Sequence, residues 1–431
     1  MPVVATLGAA YSANKGAAAM MQALLDNLPS RLGPTRFVAV STHPAGDRRS
    51  YEQVGADVTV VAQPPATLAL VHFPIALLAG LLRLLHLPWR WVCRPAALRA
   101  MAKADVVADI SGICFVDGRR PIVLVYNALV DAVPLLLGRP VVKCAQAMGP
   151  FRNPLNRRLA RLVLPRLTTV CPRGAQTEQY VRDLGLTNLM PASDVAFAMR
   201  VPDDVHEQMR KRLADNAPGP YLVVSPSQVV DTSCKAKGID YQTILSDYID
   251  AAVEAGGHTV VLVAHSAQIG AGVTHMNDLP LCRAIHQRLS HRDQVLFFDE
   301  DLLPTQLRAI ISEAALCVTS RFHAMIAALA EQTPPLVIGW SHKYGEVLDP
   351  FGLGEVAMTY DELTTGSAIL ERSRELLGKS DDIRARIAKG LPQATTQAEI
   401  NFDALEGAVL GQRPRAAKAA KAARAAKDSD S

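Results

Sequence analysis

Short apolar runs alternate with longer helical stretches along most of this chain, and this alternation restricts the fold more than any other feature of the sequence. Two strands that are connected by a helix usually pair parallel to each other. The pattern therefore predicts an α/β fold with parallel sheets. Two successive sets of runs predict two Rossmann-like domains facing a cleft. The predicted strands are residues 3–7, 37–41, 57–61, 105–110, 141–145, 168–171, 221–225, 259–264, 295–298, 315–318 and 336–339, and the predicted helices include residues 16–28, 157–164, 177–184, 240–255 and 304–313.

The length of 431 residues favours two domains, because a single hydrophobic core rarely extends so far. A Pro/Gly-rich turn near residue 220 marks the join between the two sets. We predict an N-terminal Rossmann-like domain at residues 1–205, with an apolar insertion at 66–95, and a C-terminal Rossmann-like domain at 206–395. Residues 396–431 are predicted to form a terminal helix and a basic disordered tail.

The seven cysteines are widely spaced and predict reduced thiols in the cytoplasm. The first residues lack the basic region of a secretory signal, so we expect none there. Net charge is +4, and residues 412–431 account for it with six basic and two acidic side chains, which leaves 39 of each in the rest. The neutral body does not predict a nucleic-acid partner. The tail is either a solubilising terminus or a contact for anionic lipid or nucleic acid.

Residues 66–95 depart from the alternating pattern. No Lys, Arg, Asp or Glu occurs from Ala66 to Leu82, and arginines and tryptophans follow directly. This composition is typical of a helix in the membrane interface. A buried helix packed on the sheet fits equally well, and a transmembrane helix is a third, weaker reading because the segment is short. The interfacial reading predicts a cytoplasmic protein held peripherally on the inner face of the plasma membrane.

The segment "TSRFHAMIAAL", residues 319–329, predicts a helix that begins just after a strand, with Ser320 as its cap. Arg321 and His323 then fall in its first turn. Basic residues are mildly unfavourable there, because the helix dipole already places positive charge at the N-terminus. An anion that binds at the same position explains them.

Other basic side chains follow predicted strands at equivalent positions. His265 comes after one strand of the second half, His342 and Lys343 come after another, and Arg173 follows a strand of the first half. Ligands of open α/β sheets bind at the carboxyl ends of the strands. The set therefore predicts a small ligand with several negative charges, such as a phosphate and a carboxylate. Any one of these residues alone is also explained by a structural ion pair.

The N-terminal loop holds Asn14, Lys15 and Gly16 just before a predicted helix. It either binds hydroxyl groups of an acceptor or is simply a well-capped turn. The sequence has no paired-carboxylate signature, metal-ligand cluster, P-loop or nucleophile elbow.

From Val3 to about Asp349 the chain resembles the polysaccharide pyruvyl transferase family. The similar segments are "NKGAAAM", "DISGICFVD", "KCAQAMGPF", "CPRGAQTEQYVRDLG", "SDVAFAM", "VLVAHS", "TSRFHAMIAAL" and "GWSHKYGEV". The family usually has a double glycine where this chain has Ser111–Gly112, which puts the role of that loop in doubt. The resemblance implies a GT-B-like architecture. It also implies transfer of the pyruvyl group of phosphoenolpyruvate, a substrate rather than a cofactor, onto two sugar hydroxyls.

On this reading residues 1–205 form the acceptor domain and residues 206–395 the donor domain. The donor is bound by Arg173, Arg321, His323, Lys343 and His265, and His323 and Arg321 are catalytic. Asn14, Lys15, Gly16 and Asp194 are expected to bind a sugar acceptor in a cell-surface glycan or glycolipid. His323 is the candidate acid, and Asp194, His265 and His342 are candidate bases. Asp194 fits a structural cap as well, and the chemistry requires no metal. The alternatives are a GT-B glycosyltransferase that uses a nucleotide sugar and a membrane-associated scaffold without chemistry.

Overall fold

The computed structural model describes residues 1–8, 10–268, 277–339 and 343–411, without the side chain of Lys343. Two parallel sheets, each covered by helices, form the fold. The strands are β1 Val3–Leu7, β2 Arg36–Ser41, β3 Val58–Ala62, β4 Val106–Asp109, β5 Ile113–Val116, β6 Val141–Gly149, β7 Thr169–Pro172, β8 Tyr221–Ser225, β9 Thr259–Val263, β10 Val295–Phe298, β11 Leu316–Thr319, β12 Pro335–Ile338 and β13 Ala357–Met358.

Helices connect most of these strands, as the alternating pattern predicted. They are α1 Lys15–Leu32, α2 Pro44–Gln53, α3 Pro65–Leu84, α4 Ala96–Lys103, α5 Pro121–Leu136, α6 Pro154–Val163, α7 Ala175–Asp183, α8 Asp203–Asn216, α9 Gln228–Ala236, α10 Tyr241–Ala255, α11 Leu279–Arg288, α12 Pro304–Ser312, α13 Phe322–Ala330, α14 Lys343–Leu348, α15 Gly366–Gly378 and α16 Ser380–Val409. Helix α3 contains one π-helical stretch, Leu68–His72.

The first sheet has the strand order β3-β2-β1-β4-β6-β5, with β7 paired to β6, and the second has the order β10-β9-β8-β11-β12-β13. Every strand pair is parallel. All nine residues of β6 and all five of β8 are buried, as expected for strands covered on both faces. The predicted α/β class with parallel sheets is confirmed.

The chain divides into two compact units. The first consists of residues 1–11, 20–198 and the chain from 395 onward, and the second consists of residues 12–19 and 199–394. These limits differ from the predicted contiguous domains 1–205, 206–395 and 396–431. The predicted tail at 412–431 lies outside the described residues.

Long-range contacts explain why the end of α16 belongs to the first unit. Asn401 is fully buried there, and its Oδ1 accepts a hydrogen bond from the backbone N–H of Ala145 at 2.7 Å. Its Nδ2 donates to the carbonyl of Ser193 at 3.1 Å. Arg31 of α1 pairs with Asp403 at 2.5 Å. Contacts between residues so far apart in sequence cannot be read from local pattern.

We expect Asn401→Ala to lower the free energy of unfolding by about 1–3 kcal/mol, because it leaves the N–H of Ala145 buried without its acceptor. Urea denaturation followed by circular dichroism measures the change. Glu399→Ala removes an exposed partner of Arg31 in the same helix and is the control, with an expected loss below about 0.5 kcal/mol. Equal losses in the two variants would contradict the role given to Asn401.

Candidate active site

The centre of the second sheet is its topological switch point. From β8 the chain continues to β9 on one side, and β11 lies on the other side of β8. Open α/β sheets bind ligands beyond the carboxyl ends of the two strands at such a point. Gln228 follows β8 and Arg321 follows β11, so both residues lie at this edge.

Arg321 holds a buried carboxylate at the switch point. Its Nη2 donates to Oδ1 of Asp278, and the same oxygen accepts from the backbone N–H of Gln228 at 2.9 Å. Burial raises the pKa of Asp278, and the charge of Arg321 acts in the opposite direction. The Nε of Arg321 is also buried but makes no hydrogen bond to the described residues. This arrangement fixes the guanidinium and leaves part of it for another acceptor.

Helix α13 begins at Phe322, with Arg321 as its N-cap residue. The prediction that Ser320 caps this helix was wrong. Ser320 is buried, and its hydroxyl lies 2.7 Å from the hydroxyl of Tyr241. The side chain of Arg321 makes no capping hydrogen bond to the helix. A helix N-terminus attracts anions, so the start of α13 favours negative charge beside the guanidinium.

His265 follows β9 and is buried close to the same cluster. Burial is the largest cause that lowers the pKa of His265 from its ordinary 6.5 to about 3, and the positive charges of His323 and Arg321 contribute to the same decrease. The imidazole is therefore neutral at neutral pH. It can offer a ligand one N–H hydrogen bond, but it cannot offer a positive charge.

The N-terminal loop contacts the edge of the second sheet, which explains why residues 12–19 belong to the second unit. The carbonyl of Ala13 accepts hydrogen bonds from Ser266 Oγ at 3.2 Å and from Gln268 Nε2 at 3.1 Å. Lys15 is almost fully buried, and its Nζ lies 2.5 Å from Oδ1 of Asp301, just after β10. Lys15 therefore lies in the same unit as the predicted donor residues Arg321, His323 and His265 rather than in the predicted acceptor domain.

Gly16 packs directly against His323. A Cβ atom at position 16 would lie 2.0 Å from Nδ1 of the His323 ring, which is closer than any real contact. Only glycine allows the first turn of α1 to approach the imidazole so closely. The sequence assigned Gly16 to acceptor binding, and its observed neighbour is the proposed acid.

Asn14 acts as a helix cap. Its Oδ1 accepts from the backbone N–H of Gly16 at 2.9 Å and of Ala17 at 3.4 Å. The reading of this loop as a well-capped turn therefore holds for Asn14, while Lys15 and Gly16 have contacts that capping does not explain.

Arg173 and Asp194 form an ion pair within the first unit. Nη1 of Arg173 lies 2.5 Å from Oδ2 of Asp194, and both side chains are buried. Oδ1 of Asp194 accepts from the backbone N–H of Ala196 at 2.9 Å. The structural reading of Asp194 fits these contacts. They join one predicted donor residue to one predicted acceptor residue instead of presenting each to a ligand.

The first sheet has its own switch point, between β1 and β4, and a buried charged group lies next to it. Nζ of Lys143 contacts Asp109 at the end of β4 and lies 2.8 Å from Oδ2 of Asp131. Burial, opposed by Lys143, raises the pKa of Asp131 to about 7. Ser111 Oγ donates to Asp109 at 2.5 Å, so the Ser-Gly loop that departs from the family pattern is fixed to this group.

Sequence reasoning missed Asp301 and Tyr241, which hold Lys15 and Ser320. The segment Asn277–Asp278 belongs to the resemblance to the family, but no role was assigned to Asp278, which holds Arg321. Asp301 was accessible to the strand-end argument, because it closely follows β10. His342 and the side chain of Lys343 lie outside the described residues. Among the residues that are described, no group of three or more His, Cys, Asp or Glu side chains is arranged to hold a metal ion.

Several solved structures share the fold of the chain. A putative UDP-N-acetylglucosamine 2-epimerase from Listeria monocytogenes superposes with a TM-score of 0.59 at 12% identity, covering 94% of this chain and 93% of that one. The UDP-GlcNAc 2-epimerase from Neisseria meningitidis gives 0.57 at 11% identity, with 94% and 99% covered. UGT2 from Phytolacca americana gives 0.52 at 11% identity, with 94% and 98% covered. At this identity the similarity establishes the GT-B fold and nothing more.

A comparison with curated proteins finds no match. The family model for polysaccharide pyruvyl transferases matches residues 14–342. This range includes the residues that meet at the edge of the second sheet, namely Lys15, His265, Asp278 and Arg321. This match spans most of the chain and confirms the resemblance seen in the sequence motifs. The chain belongs to the polysaccharide pyruvyl transferase family.

Proposed function

We propose that this protein transfers the pyruvyl group of phosphoenolpyruvate onto two hydroxyls of a sugar and releases phosphate. The arrangement around Arg321 is the observation that carries the proposal. Its guanidinium is fixed by Asp278, has a buried Nε that makes no hydrogen bond to the described residues, and lies at the start of α13. These features favour an anion with oxygen acceptors, and phosphoenolpyruvate supplies both a phosphate and a carboxylate.

The donor site in this proposal extends to the N-terminal loop. Lys15 brings a second buried cation into the unit, and Asp301 holds it as Asp278 holds Arg321. His265 contributes a neutral hydrogen-bond donor because its pKa is about 3. Lys343 begins α14, after the neighbouring strand β12, and is the further candidate cation. We therefore assign Lys15 to the donor rather than to the acceptor.

The reaction needs one proton at carbon and one at the leaving group. Two sugar hydroxyls form two C–O bonds to C2 of the donor, the methylene carbon takes a proton and becomes a methyl group, and the C2–O bond to phosphate breaks. The two hydroxyl groups lose two protons in total. One proton is balanced by the new methyl group and the other by the departing phosphate. His323 is our candidate for the acid, since histidine can transfer protons near neutral pH. Arg321 and Lys15 stabilise the charge on the phosphate.

The base that receives the hydroxyl protons is harder to assign. A pKa of about 3 makes His265 a weak base at neutral pH, and Asp194 is held by Arg173 in the first unit. Of the three candidates from the sequence, these contacts disfavour both His265 and Asp194. His342, the third, lies outside the described residues.

Calorimetric titration tests the donor without knowledge of the acceptor. Purified protein is titrated with phosphoenolpyruvate and, in a separate experiment, with UDP-N-acetylglucosamine. Saturable binding of phosphoenolpyruvate supports the proposal. Binding of the nucleotide sugar alone would instead favour a GT-B glycosyltransferase, and the pyruvyl donor assignment would be lost.

Replacing Arg321 by lysine tests the guanidinium while keeping a charge beside Asp278. Alanine is a poor choice, because it would leave a buried carboxylate unpaired. We expect Arg321→Lys to weaken phosphoenolpyruvate binding at least tenfold, since an ammonium group cannot reproduce the planar set of donors. Arg308→Lys is the matched control, because Arg308 is a buried arginine paired with Glu331 at 2.5 Å on α12. Equal affinities for both variants would remove Arg321 from the donor site.

Gly16→Ala tests the contact between α1 and His323. The added Cβ forces the imidazole to move, so we expect phosphoenolpyruvate affinity to fall about tenfold in calorimetry. The melting temperature is recorded beside the affinity, because alanine favours helix over glycine by about 1 kcal/mol while displacing the ring costs about 1–3 kcal/mol. Gly378→Ala, at the end of α15 with open space around it, is the control. Unchanged affinity in Gly16→Ala would separate His323 from the bound donor.

The low pKa of His265 predicts an acid-sensitive second unit. Between pH 6.5 and about 3 the unfolded state binds a proton at His265 that the folded state does not, so stability falls as pH decreases through this range. From pH 7 to pH 5 the loss from this residue is about 2 kcal/mol. Urea unfolding at both pH values should show a smaller decrease for His265→Asn than for the wild type, with His206→Asn as control. Parallel behaviour of all three proteins would contradict the buried neutral state.

A further inference from the structure

Helix α3 has an apolar face that the rest of the fold leaves exposed. Among the described residues it is the one helix that is long and apolar enough to cross a membrane, judged by length and composition alone. Leu70, Leu77, Leu81 and Leu84 follow one another at helical spacing along this face, and Leu70 and Leu84 are 77% and 76% exposed. Surface helices of soluble proteins normally carry polar residues at such positions.

The opposite face of α3 belongs to the core of the first unit. Leu68, His72, Ala76 and Ala79 are buried at helical spacing, and Leu68, Ala76 and Ala79 belong to its hydrophobic cluster. Nδ1 of His72 lies 3.0 Å from Nε2 of the buried Gln63. A helix that crosses a bilayer would have to give up these contacts. The helix is therefore a surface element with one side in the protein.

The exposed apolar side chains are concentrated in this region. Of the fifteen large hydrophobic residues that are exposed in the described part of the chain, nine lie between Leu70 and Trp91. Three more, Ile122, Val123 and Val125, lie on α5, which packs against α3. Concentration in one place marks an interaction surface, whereas scattered exposed leucines would mark none.

The charges within the segment that carries most of this surface have a single sign. Residues 66–104 contain five basic side chains and no acidic one. At the end of α3 the guanidinium of Arg83 lies against Gly138, next to Arg139. Burial lowers the pKa of Arg139, and the charges of Arg90 and Arg83 act in the same direction while Asp105 opposes them. Several guanidiniums close together favour a negatively charged partner.

We infer that α3 and the first turns of α5 bind the surface of a bilayer that contains anionic phospholipid. The leucines enter the boundary between headgroups and acyl chains, Trp91 lies at the headgroup level, and the arginines meet lipid phosphates. A second copy of the chain is a poorer occupant, because it would bring another basic, acid-free segment against the first. The inference is independent of the donor assignment. Together with it, the surface would favour an acceptor sugar carried on a lipid.

Co-sedimentation of the full chain with vesicles tests this inference. One set of vesicles contains phosphatidylcholine alone and the other contains phosphatidylcholine with phosphatidylglycerol. We expect the protein to bind the anionic vesicles. This binding should weaken as salt is added, and high salt should release the protein. Leu81→Glu should lower the partition coefficient tenfold or more, and Arg90→Gln about fivefold.

Two matched variants control for the substitutions themselves. Leu410 is 58% exposed, against 53% for Leu81, and lies outside this surface, so Leu410→Glu should bind like the wild type. Arg374→Gln is the control for Arg90→Gln. Arg374 is an exposed arginine on α15, outside this surface, so this variant should also bind like the wild type. Equal effects of Leu81→Glu and Leu410→Glu, or no binding to anionic vesicles, would overturn the inference. Protein retained on vesicles in alkaline carbonate would indicate a spanning helix instead. A vesicle-free dimer that Leu81→Glu dissociates would assign the surface to self-association.

Discussion

The parallel pairing of β8 with β11 is the constraint on which the candidate site depends. Leu316 pairs with Leu222 and Thr319 with Ser225, so the two strands end at the same level of the sheet. The residues that follow them, Gln228 and Arg321, then meet through the carboxylate of Asp278. Neither residue is near the other in sequence. The register of two buried strands brings them together.

Paired charges keep this edge of the sheet stable. Arg321 is neutralised by Asp278 and Lys15 by Asp301, and His265 gives up its proton through burial. A buried cation without a partner would cost several kcal/mol. The pairing therefore allows two cations near one helix start, and a bound phosphate would add its charge to a site that is already oriented. Orientation before binding is what a transferase of small anions requires.

The sequence predicted the sheets well and the site in part. Apolar periodicity identifies long buried strands such as β6 and β8, but the two-residue strand β13 was missed, and so was β5. Gly112 and Gly118 flank it, and Phe115 has a positive φ of 48°, so its local pattern resembles a loop.

Strand-end position correctly grouped Arg321, His323 and His265 in one unit. Lys15 and Gly16 were assigned to the other domain. Residues 12–19 contact residues that follow β9 and β10, and these contacts depend on the tertiary structure. Asp301 was missed and Asp278 was given no role for the same reason, since a carboxylate that pairs with a cation has no local signature.

The insertion at 66–95 combines a buried face with an exposed apolar face. The sequence left open whether this helix is buried or interfacial, and the structure has a buried face with His72 and an exposed face with Leu81. Ala76 and Ala79 are small, and Gly80 approaches the Leu136 carbonyl so closely that an added Cβ would lie 3.2 Å from it. Small residues hold the helix close to α5, and Leu70, Leu77, Leu81 and Leu84 lie on the side that faces away from the core. Half or more of each of these four side chains is exposed, and burial against another surface would contribute roughly 25 cal/mol for each Å² of apolar area removed from water. This gain is the energetic argument for the membrane surface that we infer for α3.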